Sequence, residues 1–189
     1  MKTIQVKIKG VTPLICNRFT DEAQQTATSG NRSSSLGETF TPKEDAATRL
    51  YVNGGKQPVM PQPNILKCLI EGGKYFKAGK SKITTLRSSL VPACVMIRPE
   101  YIDIEHHEDW QVDTRPVRIP ATGGRILRHR PMFHDWMLEF EIDLDEEIMS
   151  EKLLRQIVDA AGKRIGLGDF RPECKGPYGR FVVTNWEES

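Results

Sequence analysis

Apolar and polar positions alternate along "TIQVKIKG", residues 3–10. Ile4, Val6 and Ile8 face one way, and Gln5, Lys7 and Lys9 the other. That pattern predicts a half-buried strand. The period changes in "PQPNILKCLIEGG". Ile65, Leu66, Leu69 and Ile70 fall on one stripe, Pro63 suits a first helical turn, and Gly72-Gly73 suits an end. "VPACVMIRPEYIDI", residues 91–104, reads as one strand, or two broken at Pro99. The clearest alternation is "DWMLEFEIDLD". Leu138, Phe140, Ile142 and Leu144 point one way, and Met137, Glu139, Glu141, Asp143 and Asp145 the other. "SEKLLRQIVDAAG" predicts a second helix with Ser150 as N-cap, Met149 stapled to Leu154, and a stripe of Leu153, Leu154, Ile157, Val158 and Ala161. "RFVVTNW" is the last predicted strand.

The resulting order, β-α-β-β-α-β, predicts a ferredoxin-like α+β fold of RRM-like topology, in a single domain over residues 1–189. Two stretches interrupt it. Residues 20–58 are rich in Ser, Thr, Gly and Asn, with a candidate hairpin at "RLYVNGGKQPV" around Asn53-Gly54. Residues 105–134 show Pro, Gly and Arg without periodicity. The topology predicts that strands 3–9 and 137–144 are antiparallel neighbours, which sets Lys7 and Lys9 beside Glu139 and Glu141. Opposite charges across strands are stabilising, so the acidic strand reads as structural. It also argues against RNA lying flat on the sheet, and the aromatic residues that RRM modules stack on bases are missing.

Charge adds an asymmetry that the net value of +2 hides. Residues 1–134 carry 20 Lys and Arg against 12 Asp and Glu, and residues 135–189 carry 7 against 13. The first part suits a polyanion partner; two solvated faces are the plain alternative. Cys16, Cys68, Cys94 and Cys174 form no C-x-x-C pair and no disulfide framework. The chain opens on a strand pattern and not on a signal peptide, and no apolar run is long enough to span a bilayer. These features predict a cytoplasmic protein with free thiols.

Three basic segments are candidate nucleic-acid contacts. "GGKYFKAGKSKITTLRSSL" brings Lys74, Lys77, Lys80, Lys82 and Arg87 together without an acid, with Tyr75 and Phe76 among them. Cations interleaved with rings suit a single strand, whose phosphates they neutralise and whose bases they stack. The alternative is a solvated lysine loop with Phe76 in the core. "TRPVRIPATGGRILRHRPMFH" carries Arg115, Arg118, Arg125, Arg128 and Arg130, the residue type suited to bidentate phosphate contact. "GLGDFRPECKGPYGRF", residues 166–181, combines Gly166, Gly168, Gly176 and Gly179 with Arg171, Lys175 and Arg180. Such a loop can aim successive N–H groups at an anion, or close tightly on its own hydrogen bonds. Arg18, just past the first strand, joins the set.

No catalytic residue, metal or cofactor is assigned. The four histidines, His106, His107, His129 and His134, show no zinc-type spacing.

The stretch "IGLGDFRPECKGPYGRFVV" resembles the C-terminal glycine-rich loop of the RAMP superfamily of CRISPR-associated proteins. That loop runs hydrophobic-Gly-hydrophobic-Gly and later Gly-x-Gly; here Pro177-Tyr178 stands between Gly176 and Gly179 where one residue is usual. The resemblance is strongest to the backbone subunits that polymerise along a guide RNA. It implies a ferredoxin-like core, a finger-like insertion at 20–58 and a thumb-like one at 105–134. It also implies a non-catalytic RNA- or single-stranded-DNA-binding protein of antiviral defence. Such a protein forms a homo-oligomer along nucleic acid or joins a ribonucleoprotein complex, away from membranes. Two alternatives stay open: a metal-independent endoribonuclease of the same fold, for which residues 11–60 lack a histidine, and a virus-encoded mimic that binds effector subunits through its acidic face.

Overall fold

The computed structural model describes residues 1–19, 41–118 and 123–188. The strand over Lys2–Gly10 (β1) is followed by Leu14–Ile15 (β2) and a short helix, Pro42–Ala47 (α1). Val59–Pro61 (β3) leads into Gln62–Gly72 (α2), then Lys77–Ala78 (β4) and Ser81–Lys82 (β5). Val91–Cys94 (α3), Val95–Arg98 (β6) and Tyr101–Asp103 (β7) come next. Gln111–Arg118 (β8), Arg125–Phe133 (β9) and Met137–Leu144 (β10) precede Glu151–Ala160 (α4) and Phe181–Glu188 (β11).

The main sheet has the order β11-β1-β10-β6 with every neighbouring pair antiparallel. With α2 and α4 as the two crossover helices, that is the ferredoxin-like fold. Ile4, Val6 and Ile8 of β1 and Leu138, Phe140 and Ile142 of β10 are buried in one cluster with Ile65 and Leu69 of α2 and Leu154, Ile157 and Val158 of α4. The period-two and period-3.6 stripes thus meet in one layer, as the alternation requires.

On the opposite face the charges neutralise one another, in a register slightly different from the expected one. Lys7 does sit across from Glu139, and its Nζ lies 3.2 Å from both Glu139 and Glu105. Glu141, however, faces Gln5, and Lys9 faces Met137. Glu141 finds its cation on β6 instead, where Arg98 also holds Asp143 at 2.7 Å. This face therefore presents paired charges.

Several local expectations change. Val91–Cys94 is a helical turn and not strand, and the chain breaks into β6 and β7 around Pro99, as proline's missing donor demands. Ser150 caps α4 by accepting from the Leu153 N–H, and the helix continues into a wider π-type turn over Ala161–Ile165. The region around Asn53 closes as a turn, its side-chain oxygen accepting from the Gly55 and Gln57 N–H groups, with a bridge between Val52 and Pro58. The remainder of the 20–58 stretch up to residue 40 lies outside the described residues.

The stretch at 105–134 is the largest departure. It forms a long two-stranded ribbon, β8 paired with β9 from Gln111↔Met132 to Arg118↔Arg125. Its base joins β2 through Leu14↔Phe133 and Ile15↔Met132. Hydrophobic periodicity misses it because charged and apolar residues are mixed on both faces. Directly opposed residues share a face, so Asp113, Arg115, Arg128 and Arg130 meet on one side with Val117 and Ile126 beyond them, and Arg118 and Arg125 lie on the other.

Among the described residues no helix is long and apolar enough to cross a membrane. The four cysteines are free thiols, with Cys174 exposed and the other three buried.

Candidate nucleic-acid interface

The glycine-rich segment links the end of α4 to β11, and its shape follows from how closely it must approach the rest of the chain. Gly179 has φ of 72°, and a Cβ there would overlap the Leu167 carbonyl oxygen. Gly176 needs no left-handed backbone, but a Cβ there would overlap the Phe170 carbonyl oxygen. This closeness directs the loop's donors inward. The Leu167 N–H donates to Gly179 O at 2.9 Å, Asp169 N–H to Ile15 O at 2.7 Å, Gly176 N–H to Arg171 O at 2.9 Å and Gly179 N–H to Pro13 O at 2.8 Å. The expectation of an anion cradle made of backbone N–H groups is therefore corrected. Gly166, Gly168, Gly176 and Gly179 act as a latch that fastens the loop to the segment after β1.

The latch also anchors the ribbon. Arg130 is only 4% exposed, and its guanidinium donates to Asp113 Oδ2 at 2.6 Å and to Asp169 Oδ2 at 2.8 Å. Asn17 donates to the same Asp169 oxygen at 2.9 Å. The sequence places Arg130 at a nucleic-acid surface; burial between two carboxylates makes it a tether instead. Arg115 is shared between the two elements. Its Nε donates to Asp113 at 2.7 Å, its Nη2 donates to the Tyr178 hydroxyl, and its guanidinium stands 5.0 Å from the Tyr178 ring centroid. The Phe170 ring lies 5.9 Å away on the same guanidinium. Cation and rings therefore form one half-buried cluster where the ribbon meets the glycine loop.

Arg171 turns back on its own loop, donating to Gly168 O at 2.9 Å and to Glu173 at 2.6 Å. It lines a cleft of about 220 Å³ with Asn17, Tyr51, Asn64, Lys67 and Asp169. Lys175 and Arg180 are exposed.

After α2 the lysine segment folds into a miniature hairpin, β4 against β5, with Gly79 at its tip in the left-handed region at φ 59°. Lys77 and Lys82 are direct cross-strand partners, and Lys80 stands in the two-residue turn. Like charges placed opposite one another are unfavourable, and a polyanion relieves them. Arg87 is exposed in the following turn beside a fully exposed Leu86. Phe76 packs partly buried against the core. Tyr75 is 53% exposed, and Arg164 lays its guanidinium 4.5 Å from the ring centroid. Arg164 is not among the sequence candidates, because the helical pattern gives no reason to single out a cation at its end. Lys74 is less free than expected: it pairs with the buried Glu71, which Lys67 also holds at 2.8 Å. Burial pushes the Glu71 carboxyl up, but the two lysines prevail and hold it below the usual range.

At the other end of the ribbon Arg118 and Arg125 face each other, both exposed. Arg128 is half-buried. Arg18 is half-buried, and its backbone N–H donates to Arg49 O at 2.9 Å. The histidines stay apart in role: His129 Nδ1 lies 2.8 Å from the Thr114 hydroxyl, and His106 packs its ring on Phe133. Among the described residues no group of His, Cys, Asp and Glu is arranged to hold a metal.

The structure thus joins two of the basic segments directly and sets a cation–ring contact between the residues that precede the glycine loop and those that precede the lysine hairpin. Arg115 and Arg130 fasten the ribbon to the glycine loop, and Arg164, one turn before that loop, reaches Tyr75 at the start of the lysine hairpin. No family model and no curated protein sequence matches the chain. Among solved structures the chain is similar to one in the cryo-EM structure of the Type III-B Cmr-beta bound to cognate target RNA, at 13% sequence identity and a TM-score of 0.55. The match covers 99% of this chain and 61% of the other, so this protein spans about three fifths of that neighbour's length. At that identity the likeness is one of fold.

Proposed function

We propose that the protein is a non-catalytic single-strand-binding protein of RAMP type, with RNA as its ligand, that works as a repeated copy along the strand or as one subunit of a ribonucleoprotein complex. One observation carries this reading. The arginine-bearing ribbon is fastened to the glycine-rich loop with Phe170 and Tyr178 beside its cation, and Arg164, just before that loop, reaches Tyr75, just before the lysine hairpin, while the open sheet face is neutralised by its own ion pairs. Phosphates have cations to meet on the ribbon, at the loop and on the lysine hairpin, and bases have Tyr75 and Tyr178 to stack on. The fold neighbour, itself described in complex with target RNA, supports the same reading. Single-stranded DNA offers the same phosphates and rings and is the natural competitor ligand. Cleavage of the bound strand in the presence of EDTA would mark the protein instead as a metal-independent nuclease of this fold.

The lysine hairpin gives the direct test. Substituting Lys77, Lys80 and Lys82 together by glutamate leaves the fold intact, since all three are exposed. It should weaken binding of a labelled RNA at every sequence tried. The slope of log affinity against log salt should flatten by about 0.7 for each phosphate that is no longer neutralised. Fluorescence anisotropy over a salt series measures both. Unchanged affinity in the triple variant returns the hairpin to a solvated loop.

A further inference from the structure

Four guanidiniums gather where α1, the inner face of the ribbon and the glycine loop meet: Arg49, Arg115, Arg128 and Arg130. Three carboxylates answer them. Asp45 takes Arg49 at 3.2 Å, Asp113 takes both Arg115 and Arg130, and Asp169 takes Arg130. Arg128 is left over. Among the described residues no carboxylate lies within ion-pair distance of it, although it is half-buried and directly opposite Arg115 across the ribbon. The Nε atoms of Arg49, Arg128 and Arg130 are buried and have no hydrogen-bond partner among the described residues; Arg130 is already held by two carboxylates through its other nitrogens, and Arg128 by none. Burial, together with the nearby Arg49 and Arg130 charges, pulls the Arg128 pKa down from its ordinary value, and the Asp169 and Asp45 charges offset this only in part.

A half-buried cation with an idle donor is costly to a folded protein unless an anion completes it. We propose that Arg128, with Arg49 beside it, is a phosphate site, filled by one backbone phosphodiester of the bound single strand. The guanidinium fork is built for two parallel bonds to phosphate oxygens. The neighbouring carboxylates do not repel the anion from this position, because each already accepts from another arginine. The site lies on the same face of the ribbon as Arg115 and its two rings, so a strand whose phosphate rests on Arg128 passes close to Phe170 and Tyr178.

This inference rests on the single-strand-binding reading, and its test separates the two. Wild type and Arg128→Gln are compared by thermal unfolding with and without inorganic tripolyphosphate, and by anisotropy with a labelled single-stranded RNA. Because the substitution removes an unanswered charge, the variant should unfold at the same temperature as wild type or higher. Tripolyphosphate should raise the wild-type midpoint clearly more than the variant's, which keeps only the lysine hairpin's weaker response. RNA affinity should fall at least about tenfold, since the fork's charge-assisted hydrogen bonds to the phosphate are removed, and the salt slope should drop by about 0.7. Arg128→Lys, which keeps the charge but loses the fork, should retain part of the tripolyphosphate response. Tripolyphosphate acting equally on wild type and Arg128→Gln, or on neither, overturns the proposal. If it favours wild type in this way while wild type ignores RNA at low salt, the phosphate site stands and the RNA reading falls.

Discussion

Gly179→Val should strongly destabilise the protein. Position 179 has a left-handed backbone, φ 72°, which a β-branched residue resists. A side chain there would also meet the Leu167 carbonyl, whose oxygen belongs to this tight crossing, and would break the bond from Leu167 N–H to Gly179 O. Backbone strain costs about 1–3 kcal/mol, and forced overpacking about 1–3 kcal/mol more. A combined loss of about 4 kcal/mol lowers the melting midpoint by roughly 8–16 °C in a chain of this size. Calorimetry of the purified variant measures it. A midpoint within about 4 °C of wild type would show that the loop relaxes freely and is not a latch.

The second large effect belongs to Arg130. Its guanidinium is the link between Asp113 on the ribbon and Asp169 on the glycine loop. Arg130→Met keeps much of the volume but leaves both carboxylates without their shared partner. Breaking one side of a buried ionic network in this way typically costs about 3–5 kcal/mol. Asp113 keeps Arg115 and Asp169 keeps Asn17, so the loss should fall at the lower end, near ~3 kcal/mol. Denaturant unfolding gives the magnitude. Hydrogen exchange should show the ribbon opening first while the main sheet stays protected. Full stability in the variant would mean that the ribbon is held by its apolar base alone.

These two residues also mark the boundary of what is legible in the sequence. The core is legible because its strands and helices bury one face each, so Leu138 through Leu144 and Leu153 through Val158 announce their periods directly. Strand order follows once those elements are matched to the β-α-β-β-α-β plan. The ribbon is not legible, because Asp113, Arg115, Arg128 and Arg130 pair charge with charge and leave no apolar stripe to read. One missed signal is present: Thr41-x-x-Glu44 is a capping box, and it does start α1. The glycines stand out, yet composition cannot tell donors aimed at a ligand from donors aimed at Pro13 and Ile15. That distinction depends on groups about 150 residues apart in sequence, such as Asn17 with Asp169. For the same reason Arg130 looks like a ligand-binding residue, and Arg164, which reaches Tyr75 from another element, escapes notice.

The central claim is that a single strand lies over the glycine loop, the ribbon and the lysine hairpin, and not on the sheet. Photo-crosslinking of a thiouridine-substituted single-stranded RNA, mapped by mass spectrometry, tests it most directly. The account predicts crosslinks at Tyr75, Phe170 and Tyr178. Crosslinks confined to the open sheet, at the exposed Met96 of β6, would contradict it, as would the absence of any RNA crosslink at low salt.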